Sequence, residues 1–167
     1  LDELVPYENR SGTEQPLFEH LQRSINYTLE RLGPHGLPLI GRADWNDCLK
    51  FGYDGESVFV AMQLRLALKE YAEISALLGE GEEKAWAEAA LETLDGNLQR
   101  HAWDGEWFMR GFRVDGMKFG SKESPEEKIF LNPQVWSVIS GAASAEQADL
   151  AMKHVQDYLA TDYGIKV

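Results

Sequence analysis

The chain has 167 residues and a formal net charge of -12, with 44% hydrophobic and 26% charged residues. This length and composition favour one globular domain and argue against intrinsic disorder. The negative charge, with no basic patch, argues against nucleic acid and anionic membrane surfaces as partners. Cys48 is the single cysteine, which excludes an intramolecular disulfide and fits the cytoplasmic location that we expect. The chain begins without methionine and ends abruptly, so we also expect a piece of a longer protein.

The first predicted helix has Thr13 as its expected cap and Pro16 in its first turn, and the Gly33-Pro34 pair ends it. Its apolar face carries Leu17, Leu21, Ile25, Leu29 and Leu32. Residues 33–56 follow as a long irregular segment rich in glycine, proline and polar groups. Because this segment also contains large apolar side chains, we expect a functional loop that packs against the fold.

A second helix is predicted to open at Glu56 and Ser57 and to end at Gly79, with an apolar surface broad enough for burial on more than one side. A third helix is predicted from about Glu82 to His101. The glycine inside this third helix weakens it by roughly 1 kcal/mol relative to alanine, which the helical pattern tolerates.

Residues 103–119 contain two Asp-Gly turn signals with aromatic residues between them, which predicts one or two short β-hairpins. Asn132-Pro133 has the order of a cap followed by proline and predicts a fourth helix. Ser144 and Gln147 form a predicted capping box for a last helix that ends near Ala160. Five helices joined by long connections indicate an all-α toroid or helical barrel with a small hairpin elaboration. The absence of alternating strand and helix patterns excludes a doubly wound sheet.

The polar residues of the 33–56 loop surround Trp45, and they include Arg42, Asp44, Asn46 and Asp47. An aromatic face, planar hydrogen-bond donors and a carboxyl group are what a carbohydrate site needs. The alternative is that both aspartates form Asx turns and that Trp45 packs in the core. The loop lacks a calcium-binding pattern and a histidine pair, so we expect no metal site. The four histidines are scattered, and we expect surface or packing roles for them.

Six segments follow one another along the chain: Gly36-Leu37-Pro38, GRADWNDCL at 41–49, GESV at 55–58, WDGEWF at 103–108, GSKE at 120–123 and KIFLNPQVWSVISG at 128–141. In this order they resemble segments of the cellobiose phosphorylases of glycoside hydrolase family 94. The resemblance covers nearly the whole chain. It implies that residues 1–167 are a single partial catalytic domain, a consecutive portion of an (α/α)6 barrel.

The resemblance also implies a reaction, the inverting phosphorolysis of a β-linked glucose disaccharide. Cellobiose and inorganic phosphate would give α-glucose 1-phosphate and glucose, and no cofactor is implied beyond phosphate as co-substrate. Cellodextrin, laminaribiose and β-1,2-glucan are alternative substrates within the family. Partners other than the saccharide and phosphate are not expected, except that the full-length protein is expected to form a homodimer.

By the same resemblance, Asp47 is the general acid, because it is the last aspartate of the Asp-Trp-Asn-Asp motif. Trp45 and Asn46 are expected substrate contacts, and Arg42 is suited to charge-assisted hydrogen bonds with phosphate or sugar oxygens. The residues that hold phosphate are expected outside this chain. An inverting hydrolase, the alternative enzyme, would need a second carboxylate, for which Glu123 is the first candidate. A non-catalytic carbohydrate-binding module is disfavoured by the presence of Asp47.

Overall fold

The computed structural model describes residues 1–8 and 12–167, and within these ranges it contains five α-helices and seven short β-strands. The helices are α1 (Leu17–Leu29), α2 (Val58–Leu78), α3 (Gly81–Asn97), α4 (Leu131–Ile139) and α5 (Ala145–Leu159). The strands are β1 (Leu4–Pro6), β2 (Glu14–Pro16), β3 (Glu56–Ser57), β4 (Gly111–Phe112), β5 (Lys118–Phe119), β6 (Ala160–Thr161) and β7 (Gly164–Ile165). The predicted order of five helices, with the hairpin region between the third and fourth, is confirmed.

Helix α2 is the centre of the main core, and it packs against α1, α3 and α4. Val58, Met62 and Leu68 on this helix are completely buried. The Ser57 hydroxyl accepts a hydrogen bond from the N–H of Val60 and caps the helix, and Gly79 ends it with a left-handed φ of 79°. Both predicted ends are therefore confirmed. In the described residues, neither α2 nor any other helix is long and apolar enough to cross a membrane.

The predicted cap of the first helix is wrong. Helix α1 begins at Leu17 directly after Pro16, and Thr13 lies outside it. The reason is that β2 pairs with β1 in an antiparallel sheet, in which Val5 lies opposite Gln15. Strand pairing of these residues overrides the local helix signal, and the helix starts only where the strand ends.

The predicted third helix is split into two parts, because α3 continues into a π-helical turn at Leu98–Ala102. Helix α4 begins two residues earlier than predicted, with Phe130 rather than Asn132 at the capping position. The capping box of α5 is confirmed, since Ser144 and Gln147 bond each other's backbone as expected. Local signals thus located the helices and misplaced some of their ends.

The hairpin formed by β4 and β5 joins β3 to make a three-stranded antiparallel sheet. Ser57 lies opposite Gly111 in this sheet, so the residues before α2 pair with β4, the central strand. A side chain at Gly111 would collide with the backbone oxygen of Glu56, which explains why glycine occupies this position. The sheet therefore joins the end of the 33–56 loop to a segment more than fifty residues further along the chain.

Candidate functional site

The first part of the 33–56 loop is bound to the sheet by the carboxylate of Glu56, whose side chain is 2% exposed. This carboxylate accepts hydrogen bonds from the backbone N–H groups of His35 (3.0 Å) and Leu37 (3.2 Å), and it faces His35 Nδ1. The His35 ring also stacks on Phe112 with 3.9 Å between centroids. The expectation of a packing role for His35 is consistent with this contact, whereas its buried acidic partner was not anticipated.

Burial is the largest cause that lowers the pKa of the neighbouring His101, and the charge of Arg100 acts in the same direction, whereas Glu56 opposes it. The two histidine rings meet edge to face with 5.1 Å between their centroids. The neutral form of His101 is therefore favoured in the folded protein.

Asp44 is buried beneath the second part of the loop, with a side-chain exposure of 2%. Its Oδ1 atom accepts hydrogen bonds from Arg110 Nη2 (2.7 Å) and from the backbone N–H of Asn46 (2.9 Å). Its Oδ2 atom accepts a hydrogen bond from the Ser57 hydroxyl (2.7 Å). Both oxygens are therefore occupied by donors inside the protein, and Asp44 is closed to a substrate.

Arg110 is the partner of Asp44, and its side chain is 0% exposed. The guanidinium carbon lies 5.8 Å from the ring centre of Phe51 and 5.5 Å from that of Phe59. Its Nη1 atom also donates to the Ser57 hydroxyl at 3.3 Å. Arg110 was not predicted as a site residue, because it lies 66 positions from Asp44 and no local pattern connects the two.

Asp47 follows three residues later in the same loop and is exposed to solvent. Its Oδ1 atom is 3.7 Å from the thiol of Cys48, and the side chain of Asn46 accepts a hydrogen bond from the Cys48 N–H at 3.1 Å. Trp45 is 66% exposed, which contradicts the alternative in which it packs in the core. The structure thus separates two aspartates that are equivalent in the sequence.

Arg42 is also exposed and lines a surface pocket of about 380 Å³. Lys50 and Tyr53 contribute to the same lining, together with apolar side chains that include Phe51. Trp45, Asn46 and Asp47 are outside this lining, so the loop presents two adjacent surfaces rather than one closed cavity. Across residues 1–8 and 12–167, no group of three or more histidine, cysteine, aspartate or glutamate side chains is arranged to hold a metal ion.

The model of the glycosyl hydrolase 94 superfamily catalytic domain matches residues 1–167. The chain belongs to this family. A cellobionic acid phosphorylase of Neurospora crassa is 36% identical over 100% of the chain. A solabiose phosphorylase of Paenibacillus borealis and an N,N'-diacetylchitobiose phosphorylase of Vibrio proteolyticus are 35% and 32% identical, each over 98% of the chain. The chain spans only 20 to 22% of the length of these family 94 relatives.

A solved structure supports the fold. The GH78 family rhamnosidase of Bacillus sp. GL1 superposes with a TM-score of 0.67 at 16% sequence identity, covering 85% of this chain and 15% of that protein. The family 94 chain is therefore a mainly helical portion of an (α/α)6 barrel with small antiparallel hairpins, as the sequence predicted. The roles of Arg42, Trp45, Asn46 and Asp47 stay predictions.

Proposed function

We propose that this chain is part of the catalytic domain of a longer enzyme that cleaves a β-linked disaccharide with inorganic phosphate. Phosphate attacks the anomeric carbon from the face opposite the glycosidic bond and inverts its configuration, which releases an α-sugar 1-phosphate. The family membership of the whole chain supports this reaction, because three relatives that match almost all of it are named disaccharide phosphorylases. Cellobiose is the substrate that the motif favours, while the relatives act on different disaccharides.

The observation that carries the proposal at the level of residues is the contrast between the two aspartates of the motif. A general acid must come within hydrogen-bond distance of the glycosidic oxygen. Asp44 is buried and bonded through both oxygens, whereas Asp47 is exposed beside an exposed Trp45. Asp47 is thus the aspartate of this motif that a sugar can reach, and we assign it the role of proton donor to the leaving group.

The chemistry of the nucleophile explains why one catalytic carboxyl group is sufficient. An inverting hydrolase needs a second carboxylate to activate water, but phosphate is already anionic and nucleophilic. Glu123, the candidate for such a base, is exposed and lies 3.6 Å from the ammonium group of Lys118. The contact favours a surface ion pair for this glutamate over a catalytic role.

The neighbours of Asp47 have the chemistry to bind a sugar. The exposed indole of Trp45 offers an apolar face to a pyranose ring. The exposed Arg42 can extend its guanidinium group towards phosphate or sugar oxygens and bind them through two parallel hydrogen bonds. Asn46 uses its side-chain oxygen to bond the Cys48 N–H, so its amide NH₂ group is the part available to a sugar hydroxyl.

The test is a comparison of Asp47→Asn with the wild-type full-length protein, using disaccharide with and without phosphate. We expect formation of sugar 1-phosphate only when phosphate is present, and a loss of about 10²- to 10⁴-fold in the variant, which is the usual contribution of general acid catalysis. Asp115→Asn is the matched control, because Asp115 is an exposed aspartate paired with Arg113 on the hairpin. Near-normal turnover in Asp47→Asn, or equal glucose release without phosphate, would contradict the proposal.

A further inference from the structure

The part of the loop that carries Asp47 is fixed to the fold three residues earlier, at Asp44. The Asp44 carboxylate accepts hydrogen bonds from Arg110, in the hairpin region, and from Ser57, the residue directly before α2. From Asp44 the constraint passes along the turn. Asp44 Oδ1 accepts from the Asn46 N–H at 2.9 Å, and Asn46 Oδ1 accepts from the Cys48 N–H at 3.1 Å. Asp47 lies between these two bonded positions.

Arg110 is itself held rigidly. Its backbone N–H donates to the carbonyl of Phe119 at 2.8 Å, and its carbonyl accepts from the N–H of Val58 at 3.2 Å. A side chain at Gly120 would lie only 2.9 Å from Arg110 Cβ, so the main chain packs closely against it. The guanidinium group is completely buried, and its planar fork fixes the direction of its hydrogen bonds. Arg110 therefore provides a fixed reference point for the loop.

We propose that Arg110 is a positioning residue, whose buried ion pair with Asp44 sets the orientation in which Asp47 meets the glycosidic oxygen. The inference rests on the proposed role of Asp47 as proton donor. A buried ion pair adds little stability compared with an apolar pair of the same volume, so stability alone does not account for its presence. Orientation does, because misplacing a reacting group by about 1 Å costs on the order of 10²-fold in rate.

A pair of substrates separates positioning of the acid from general damage to the site. A disaccharide needs a proton on its leaving oxygen, whereas the β-glycosyl fluoride of the same donor sugar releases fluoride without one. In both reactions a phosphate oxygen forms the new bond to the anomeric carbon as the leaving group departs with its electron pair. Loss of acid positioning therefore slows the disaccharide reaction selectively.

The variants are Arg110→Lys and Asp44→Asn in the full-length protein. We expect kcat for the disaccharide with phosphate to fall by roughly 10²-fold with KM changed less than about threefold, and kcat for the fluoride to fall by less than about threefold. Arg113→Lys is the matched control, since Arg113 lies three residues along the same hairpin in an exposed pair with Asp115. This control should leave both reactions unchanged.

Equal losses on the two substrates, or full disaccharide activity in Arg110→Lys, would overturn the proposal. If Arg110→Lys does not fold, Ser57→Ala gives the decision, because it removes the Ser57 hydrogen bond to Asp44 and leaves the Arg110–Asp44 ion pair. It also removes the bonds of this hydroxyl to Arg110 and to the first turn of α2, and the comparison of the two substrates separates that general effect from positioning. Its expected effect is a selective loss of about tenfold, and an equal loss on both substrates would again reject positioning. Asp47→Asn separates the two proposals. If Asp47→Asn loses activity only on the disaccharide and Arg110→Lys shows no such selective loss, only the positioning role of Arg110 is wrong. If Asp47→Asn is fully active, the assignment of Asp47 as the acid is wrong.

Discussion

Gln134 is a buried hydrogen-bonding residue that connects α4 to the hairpin region carrying Arg110, and its replacement by methionine gives a quantitative test of the fold. The Gln134 side chain is 0% exposed and bonds both backbone groups of Phe108, accepting from the N–H at 2.9 Å and donating to the carbonyl at 2.7 Å. Gln134→Met has a similar shape but leaves these two buried groups without partners. Each unsatisfied group costs about 1–3 kcal/mol, so we expect the free energy of opening around Phe108 to fall by about 2–6 kcal/mol.

The measurement is amide hydrogen exchange in the full-length protein, which reports the free energy of local opening around Phe108. Gln134→Met should speed exchange in the peptide covering residues 105–112 by a factor that corresponds to this loss. Gln156→Met, an exposed position on α5, should leave exchange unchanged. A decrease of less than about 1 kcal/mol in the free energy of opening at Phe108 in Gln134→Met would refute this expectation, because one ordinary hydrogen bond already contributes about that much.

Two further predictions concern backbone space and pH. Gly111→Ala should abolish stable folding, because a side chain there would overlap the backbone of Glu56. Gly96 lies in open space inside α3, so Gly96→Ala should stabilise the protein by up to about 1 kcal/mol, and thermal unfolding of the two variants checks this contrast. Burial lowers the pKa of His101 below its ordinary 6.5, so the unfolded chain binds more protons and stability falls as the pH drops through about 6.5. His101→Gln should reduce this loss in melts between pH 5 and 8, and an unchanged pH dependence would contradict the assignment.

The helices could be predicted where their signals are local. Ser57 and Gly79 mark the ends of α2 through a side-chain cap and a left-handed backbone, both of which depend on one residue type at one position. The capping box of α5 is equally local. Thr13 misled because the start of α1 depends on pairing between β1 and β2, which a helix-cap pattern does not report. Helix ends that depend on a local capping residue could thus be predicted, whereas the start of α1, which depends on pairing between two strands, could not.

The candidate site shows the same division. The motif located the loop and its exposed tryptophan, but no periodicity or composition connects Asp44 to Arg110. Glu56 looked like the polar start of a helix, and its burial follows from backbone donors some twenty residues earlier in the chain. One signal could have been read: Arg110 stands in a run of aromatic and apolar residues, where a buried arginine requires an acidic partner.

The arrangement of the two aspartates also explains how one short loop can be both rigid and reactive. A carboxyl group that anchors the loop must be bonded through both oxygens, and a carboxyl group that gives a proton to a substrate must be accessible. One residue cannot meet both conditions. Asp44 takes the anchoring role with 2% exposure, which leaves Asp47 accessible on a turn whose ends are fixed. If Asp47 were to anchor the loop and Asp44 were to donate the proton, Arg110 would have to move, together with the sheet whose strand β3 leads directly into α2.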